Sequence, residues 1–485
     1  MTKTDKPEKL AVNSPCDGSV IAQLEMDNGQ TLAYKINAAI AAQEKWKNKP
    51  RTEREKLLVN LSDAIAENRQ KLIEVIVYDA GKTAKEASAE VDGAADIIKK
   101  TIANATLPEF GGMARCKERP PVGIVGLITS FNFPLAVAFW TIAPALLAAN
   151  AVLWKPSEKT PMVAIAIKEI FDKVAGDFSG LLQILIGTRD IGSRLVSHEQ
   201  VDMVSATGSV AMGQGIQAAL AQKQNNSVPP ILELGGNNGV IISDKITPEH
   251  LEFSVNSIMN SYLATSGQRC TNTRRLIVHN KVYEQVISQL ERNIKNFISS
   301  NAVKNPLSGI SNDYGYAALI DEDSFQRFES AKKQALLEGG KILFGARINS
   351  EYKNVFFVEP ALALMPTHSQ IMHKETFAPI LFITKYDNFN EAISMVNAPG
   401  NAGLVGGIYT QNKEEAEIFA RENGAGHTLI NSPKGTGTPA FGMGFGGNKE
   451  SGNGEILNNA DPLQAFTRTG SYNRIAVNSA VPMDL

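Results

Sequence analysis

The chain has 485 residues, with 48 basic against 50 acidic side chains and a formal net charge of −2. That length exceeds one ordinary hydrophobic core and predicts two or three domains, while balanced charge without a basic block excludes nucleic acid as a main partner. Its three cysteines, none in CxxC or Cys/His metal spacing, exclude a disulfide framework or zinc site; with an N-terminus lacking the apolar core of a signal peptide, they make the cytoplasm the expected location.

In chain order, residues 32–90 show helical spacing and mixed charge, as expected of helices flanking a sheet. Residues 120–154 carry no charge, which is long enough to raise the question of a membrane span. The stretch reads instead in pieces: "VGIVGLIT" as a strand, "SFNFP" as a loop, "LAVAFWTIAPALLAA" as a helix starting after Pro134, and "NAVLWK" as a second strand. Short apolar strands alternating with an apolar helix predict a parallel sheet buried on both faces, not a membrane segment. The turn "PSEKTP", a helix over 162–174, strands in "LLQILIG" and "VDMVSAT", and a helix through "VAMGQGIQAALAQ" continue the alternation. This order predicts a doubly wound α/β domain with its ligand crevice at the carboxyl ends of the strands.

A second α/β unit begins near "ILELGGNNGVIIS", with helices over 248–262 and 281–298 and strands in "GKILFGA" and "FFVEPALAL". The glycine-dense stretch 435–454 reads most simply as a linker. The late "LQAFTRTGSYNRIAV" reads as a strand that pairs with another subunit.

Four short motifs carry candidate chemistry. Cys270 lies in "ATSGQRCTNTRR", a run of small polar residues that packs poorly. A cytosolic cysteine is commonly just an inert buried residue. An unperturbed thiol near pKa ~8.5 is only slightly ionised at neutrality, so catalysis needs local activation, for which Arg269 is a candidate. Glu233 in "PPILELGG" is a carboxylate inside an apparent buried strand. Unless it is simply salt-bridged, burial raises its pKa toward the range a general base needs. Asn132 in "FNFP" follows a strand, where its amide either caps a turn or donates to an oxyanion. In "SATGSVAMG", Gly208 and Ser209 open a helix whose free N–H groups suit a pyrophosphate.

With "WKPSEKTP", "HKETFAPI" and "FGGNKESG", these stretches resemble the NAD(P)-dependent aldehyde dehydrogenase superfamily in order and interval from about residue 120 to 454. The resemblance implies an aldehyde dehydrogenase-like α/β fold. A Rossmann-type NAD-binding domain is expected from residues 1–102 and 122–235, an α/β catalytic domain from 236–450, and a small β oligomerisation element from 103–121 and 462–485. It implies Cys270 as nucleophile, Glu233 as general base, and Asn132 with the Cys270 N–H as the oxyanion hole. Lys155 and Glu158 are implied at the adenosine ribose and Ser209 at the pyrophosphate. Glu375 and Phe377 are implied at the nicotinamide riboside, and Thr129, Ser130, Ser157, Gly187 and Gly208 along the same crevice. A ribose-binding Glu158 repels a 2′-phosphate and favours NAD, with NADP as the alternative. The expected partners are a small-molecule aldehyde and further copies of the chain, as a homodimer or homotetramer, with no metal.

Within the superfamily, "LELGGNNG", "GQRCTNTRRL" and "HKETFAPIL" are most similar to the antiquitin group, the α-aminoadipic semialdehyde dehydrogenases. "GGNN" and "GQRCT" are also similar to succinylglutamate semialdehyde dehydrogenases. Both groups oxidise semialdehydes with an anionic far end, which makes Arg269 and Lys434 candidates for its carboxylate. The sequence departs from the antiquitin pattern in the loop "SPKGTGTPAFGMGFGG". Thr141 replaces a lysine common in the superfamily, and Glu455-Ile456 replaces an Arg-Glu pair, so the proton route from Glu233 differs. Three other readings remain: a CoA-acylating enzyme, against which Glu233 argues; a non-catalytic relative, against which the complete trio argues; and a cysteine hydrolase, whose histidine base has no motif here.

Overall fold

The uncharged stretch forms the strand Ile124–Ile128, the helix Ala136–Leu147 and the strand Ala151–Lys155, and every residue of both strands is buried. A computed structural model of the chain describes residues 8–105, 120–224, 228–300, 316–348, 355–398, 402–437, 444–454 and 461–468. Among them no helix is long and apolar enough to cross a membrane.

A five-stranded sheet runs in the spatial order Leu182–Ile184, Ala151–Lys155, Ile124–Ile128, Met203–Thr207, Ile231–Glu233, parallel throughout. The chain starts at the centre, winds outward, and returns to the other side. The direction therefore reverses between Ile124–Ile128 and Met203–Thr207, and a crevice opens at that point. The predicted strand in "ILELGG" closes this first sheet, because Glu233 registers with Thr207. Only Asn238–Ile242 begins the second sheet.

The second sheet has seven strands, in the order Lys341–Phe344, Ala361–Leu364, Ile380–Tyr386, Thr273–His279, Asn238–Ile242, Val405–Tyr409, His427–Ile430. All neighbours are parallel except the first pair. In "FFVEPALAL" the ladder begins only at Ala361, one residue after Pro360, which has no N–H to donate.

The predicted N-terminal helical region consists of Gly29–Trp46, Arg51–Glu67, Arg69–Ala80 and Ala84–Asn104. Capping boxes start the first and last of these: Asn28 with Thr31, and Thr83 with Glu86. Their buried faces, including Ile36, Leu61, Ile76 and Val91, share one core with Val125 and Leu153 of the sheet.

The described parts of the stretch expected to be a linker, 435–437 and 444–454, are built into the structure. Lys449 and Asn448 pair with Ala402 and Gly403, Gly452 bridges to Glu233, and Leu234 N–H donates to Ser451 O at 2.9 Å. The expected oligomerisation segments lie largely outside the described residues. Their described ends meet, since Pro121 bridges antiparallel to Thr467.

Candidate active site

Cys270 lies three residues before the strand Thr273–His279, in the loop that follows the helix Pro248–Leu263. That loop is strained: Thr265 and Ser266 hold φ of 51° and 49°, a region costly for a β-branched residue. Arg274 fastens it, donating to Gly267 O, to Arg269 O at 2.8 Å, and to Ala378 O at 3.3 Å. Asn238 Nδ2 donates to Cys270 O at 2.7 Å, and Thr436 Oγ1 donates to Thr271 O at 2.7 Å. The backbone around Cys270 is thus bonded on both sides.

Burial pushes the Cys270 thiol up to about 12; the Glu375 and Glu233 carboxylates add to this, and Arg274 opposes it. Both carboxylates therefore act at the sulfur. The expectation that Arg269 supplies the activating cation is corrected. Its Nε donates to Thr265 Oγ1 at 2.8 Å and its Nη2 to Glu86 at 3.0 Å, so its charge is already neutralised. The cation acting on the sulfur is Arg274, buried behind the loop.

Glu233 ends the last strand of the first sheet and is 5% exposed. Neither carboxylate oxygen has a hydrogen-bond partner among the described residues, and burial alone holds its pKa well above the usual carboxylate range. The paired glycines that follow are required by close approach. A Cβ on Gly235 would lie 2.3 Å from Glu375 Oε2, and one on Gly236 would lie 2.5 Å from Cys270 O. The "LELGG" motif thus lets the Cys270 backbone and Glu375 press against the turn after Glu233.

Asn132 is buried in the loop after Ile124–Ile128. Ser130 Oγ donates to Asn132 Oδ1 at 2.7 Å, which fixes the amide plane and leaves Nδ2 as the donating end. Ser130, expected along the cofactor crevice, is thereby engaged with Asn132. The next residue, Phe133, lies 5.1 Å from the Arg269 guanidinium, so this loop meets the one bearing Cys270.

The crevice of the first sheet is a groove of about 390 Å³ lined by Lys155, Glu158, Arg189, Gly192, Ser209 and Met212 among others. It fits a dinucleotide. Lys155 Nζ holds Glu158 at 2.9 Å; burial pushes the Glu158 carboxyl up, but Lys155 outweighs it and keeps the group ionised, ready for a ribose diol. Ser209 caps Met212 N–H, and the helix Val210–Ala221 has further first-turn N–H groups that precede its internal ladder. Ser157, Gly187 and Gly208 stand on the loops leading into the groove. Thr129 is turned to the core, where its hydroxyl accepts the Trp154 indole N–H at 2.8 Å.

Glu375 accepts Gly236 N–H at 3.1 Å and lies 3.9 Å from Arg274. Phe377, at φ 55°, packs edge-on to Phe131 at 5.8 Å and under Arg274 at 5.3 Å. These two residues therefore join the nucleophile loop to the Asn132 loop. Lys434 is exposed on the turn whose Thr436 holds Thr271 O. Thr141 is buried, its hydroxyl 2.8 Å from that of Ser205 on the strand beside Glu233. Among the described residues no cluster suits a metal ion. Sequence reasoning passed over Arg274, Asn238 and Thr436; the signal available was polar residues on an otherwise buried strand and its flanks.

A cysteine whose thiol feels an unpartnered acid, on a fold with a groove at the switch point of its first sheet, is the candidate site of an oxidoreductase. The model of the aldehyde dehydrogenase family matches residues 1–471, and the chain belongs to that family. The Rattus norvegicus alpha-aminoadipic semialdehyde dehydrogenase is 30% identical over 487 residues, 98% of this chain and 87% of the relative. The lactaldehyde dehydrogenase structure from Escherichia coli is 29% identical with a TM-score of 0.86, covering 97% of this chain and 96% of that one. A 3,6-anhydro-L-galactose dehydrogenase in complex with NAP is 27% identical with a TM-score of 0.87, covering 96% of each. The chain is an NAD(P)-dependent oxidoreductase that acts on aldehydes.

Proposed function

We propose that this enzyme oxidises an aldehyde bearing an anionic far end to the carboxylic acid, with NAD preferred, through a covalent intermediate on Cys270. The observation that carries the reading is the unpartnered Glu233 carboxyl, which acts on the Cys270 thiol, with Gly236 of the turn after it packed against the Cys270 carbonyl oxygen.

The Cys270 sulfur attacks the carbonyl carbon, and its proton passes to a base. Glu233, whose burial strengthens its hold on a proton, fits that role. The oxygen left with negative charge is met by Asn132 Nδ2 and the Cys270 N–H. Bound nicotinamide dinucleotide supplies the hydride acceptor that turns this adduct into a thioester. Glu233 passes the thiol's proton on to solvent and then takes a proton from water; the water oxygen bonds to the carbonyl carbon, the C–S bond breaks, the acid leaves, and the Cys270 thiolate regains a proton from Glu233. Lys155 and Glu158 would hold the adenosine ribose, Ser209 and the helix N–H groups the pyrophosphate, and Glu375 and Phe377 the nicotinamide end.

Glu158 supports NAD, since a carboxylate at the ribose repels a 2′-phosphate. With Arg269 neutralised by Glu86, Lys434 is the better candidate for the substrate's carboxylate. The charged groups acting on the sulfur are Glu375, Glu233 and Arg274, with no histidine, which argues against a cysteine hydrolase. The two separate sheets support the division into a cofactor domain of 1–102 with 122–235 and a catalytic domain of 236–450. The Pro121–Thr467 bridge supports a shared β element through which a homodimer or homotetramer forms, and the free Cys16 and Cys270 suit the cytoplasm.

The test is an aldehyde panel assayed with NAD and with NADP, following absorbance of the reduced cofactor. An acidic semialdehyde should give a higher kcat/KM than an uncharged aldehyde of equal length, and Lys434→Ala should erase that difference while sparing the uncharged substrate. Equal kcat/KM for the pair would remove the substrate proposal and leave the reaction type standing.

A further inference from the structure

On helix Ala84–Asn104, Glu86 and Glu90 stand four positions apart and so on one face. Each is bonded to a different loop of the active site. Glu86 Oε1 accepts Thr265 N–H at 2.7 Å and the Arg269 guanidinium at 3.0 Å, holding the segment that leads into Cys270. Glu90 Oε1 accepts the N–H groups of Leu135 at 2.8 Å and Ala136 at 3.1 Å, three and four residues after Asn132. These are orphan donors at the start of Ala136–Leu147, a helix whose own N-cap, Leu135, offers no side-chain cap.

The other Glu90 oxygen binds Lys82 Nζ at 2.6 Å, and both side chains are essentially inaccessible to water, at 1% and 0% exposure. The same ammonium donates to the carbonyl oxygen of Asn132 itself at 2.9 Å and lies 3.9 Å from the centre of the Phe133 ring. The guanidinium held by Glu86 approaches that ring too, at 5.1 Å. A buried ion pair rarely adds stability beyond what well-packed apolar residues would give. What it does give is direction, and here every bond of the pair outside itself falls on residues 132–136.

We propose that Lys82 and Glu90 are positioning residues for the reaction: through the Asn132 carbonyl and the Leu135 and Ala136 N–H groups they set the aim of the Asn132 amide relative to Cys270. This rests on Asn132 being an oxyanion donor. Lys82 and Glu90 touch no reacting atom, and they act through the loop.

The test is a double-mutant cycle read as kcat, KM and thermal unfolding on the full chain with an accepted aldehyde. Asn132→Ala alone should lower kcat about 10²–10³-fold, the usual loss of one oxyanion donor. Lys82→Met in the otherwise native enzyme should lower kcat roughly tenfold or more with both KM values within about threefold, whereas in the Asn132→Ala background it should change kcat less than about twofold. If Lys82→Met does not fold, Lys82→Met with Glu90→Gln, which leaves no unpaired buried charge, is read the same way. Lys82→Arg, which keeps the charge and a donor, should recover part of kcat. An equal loss of kcat in both backgrounds, or no loss in the native background, overturns the proposal while leaving Asn132 in its role. Full kcat in Asn132→Ala would overturn the oxyanion role, and with it this proposal.

Discussion

Glu233 and Glu90 are both buried, at 5% and 3% exposure, and both sit within the wall around Cys270 and Asn132. Their surroundings are opposite. Glu90 has an ammonium and two backbone N–H groups on its oxygens, whereas Glu233 has no partner among the described residues. Burial without partners raises the hold of the carboxyl on its proton; three donors on a buried carboxylate fix where its oxygens lie. One carboxylate is set up to exchange protons and the other to hold geometry. Asp79 is intermediate: fully buried, it accepts Val163 N–H at 3.1 Å on one oxygen, has no partner on the other among the described residues, and is pushed by burial to about 8.

Exchanging carboxylate for amide at each position sharpens the contrast. Glu233→Gln should lower turnover about 10²–10⁴-fold, the range of a lost general base, while the protein unfolds at the same or a higher temperature. The stability sign follows from its raised folded pKa. The folded state holds the proton more tightly, so native Glu233 lowers stability as pH rises above the unfolded value, and glutamine removes that slope. The acid limb of kcat/KM should accordingly lie well above pH 4.5 in the native enzyme and vanish in the variant.

Glu90→Gln should behave in the reverse way on stability. It leaves Lys82 buried without its counter-ion, so denaturant unfolding should show a loss of about 3–5 kcal/mol. A Glu90→Gln protein as stable as the native one would break the comparison.

The smallest effect on turnover belongs to Asp79→Asn. Folded Asp79 binds its proton up to about pH 8, far above the unfolded value of 3.8, so native stability should decline between roughly pH 4 and 8. Asparagine can still accept the Val163 N–H and should flatten that decline, with kcat within about twofold. Thermal unfolding across pH 5–8.5 checks it.

The sequence made the sheets of the first half legible because strands buried on both faces are apolar runs, as in "IVGLI" and "AVLWK", and their turns carry prolines and glycines. Glu233 and Cys270 stood out for a related reason: each is a polar or reactive group where packing alone asks for something else. Glu90 gave no such signal. On an amphipathic helix with mixed charge, a glutamate reads as solvent-facing, and only the tertiary fold brings Lys82 and the 132–136 loop to it. Arg269 misled because adjacency along the chain to Cys270 suggested electrostatic adjacency, while its guanidinium reaches Glu86, 183 positions earlier. The glycine-dense 435–454 stretch resembled a linker because its partners, Thr271, Gly403 and Glu233, are distant in sequence.

The central claim is that the Cys270 sulfur and an unpartnered acid work on the same carbonyl. It is tested most directly by intact-protein and peptide mass spectrometry of the Glu233→Gln enzyme after incubation with an accepted aldehyde and NAD. Loss of the base should slow the attack and stall hydrolysis, so an acyl group should accumulate with time, at most one per chain and located on Cys270. Continued oxidation of the aldehyde by unmodified protein, or an acyl group on another residue, would contradict the account.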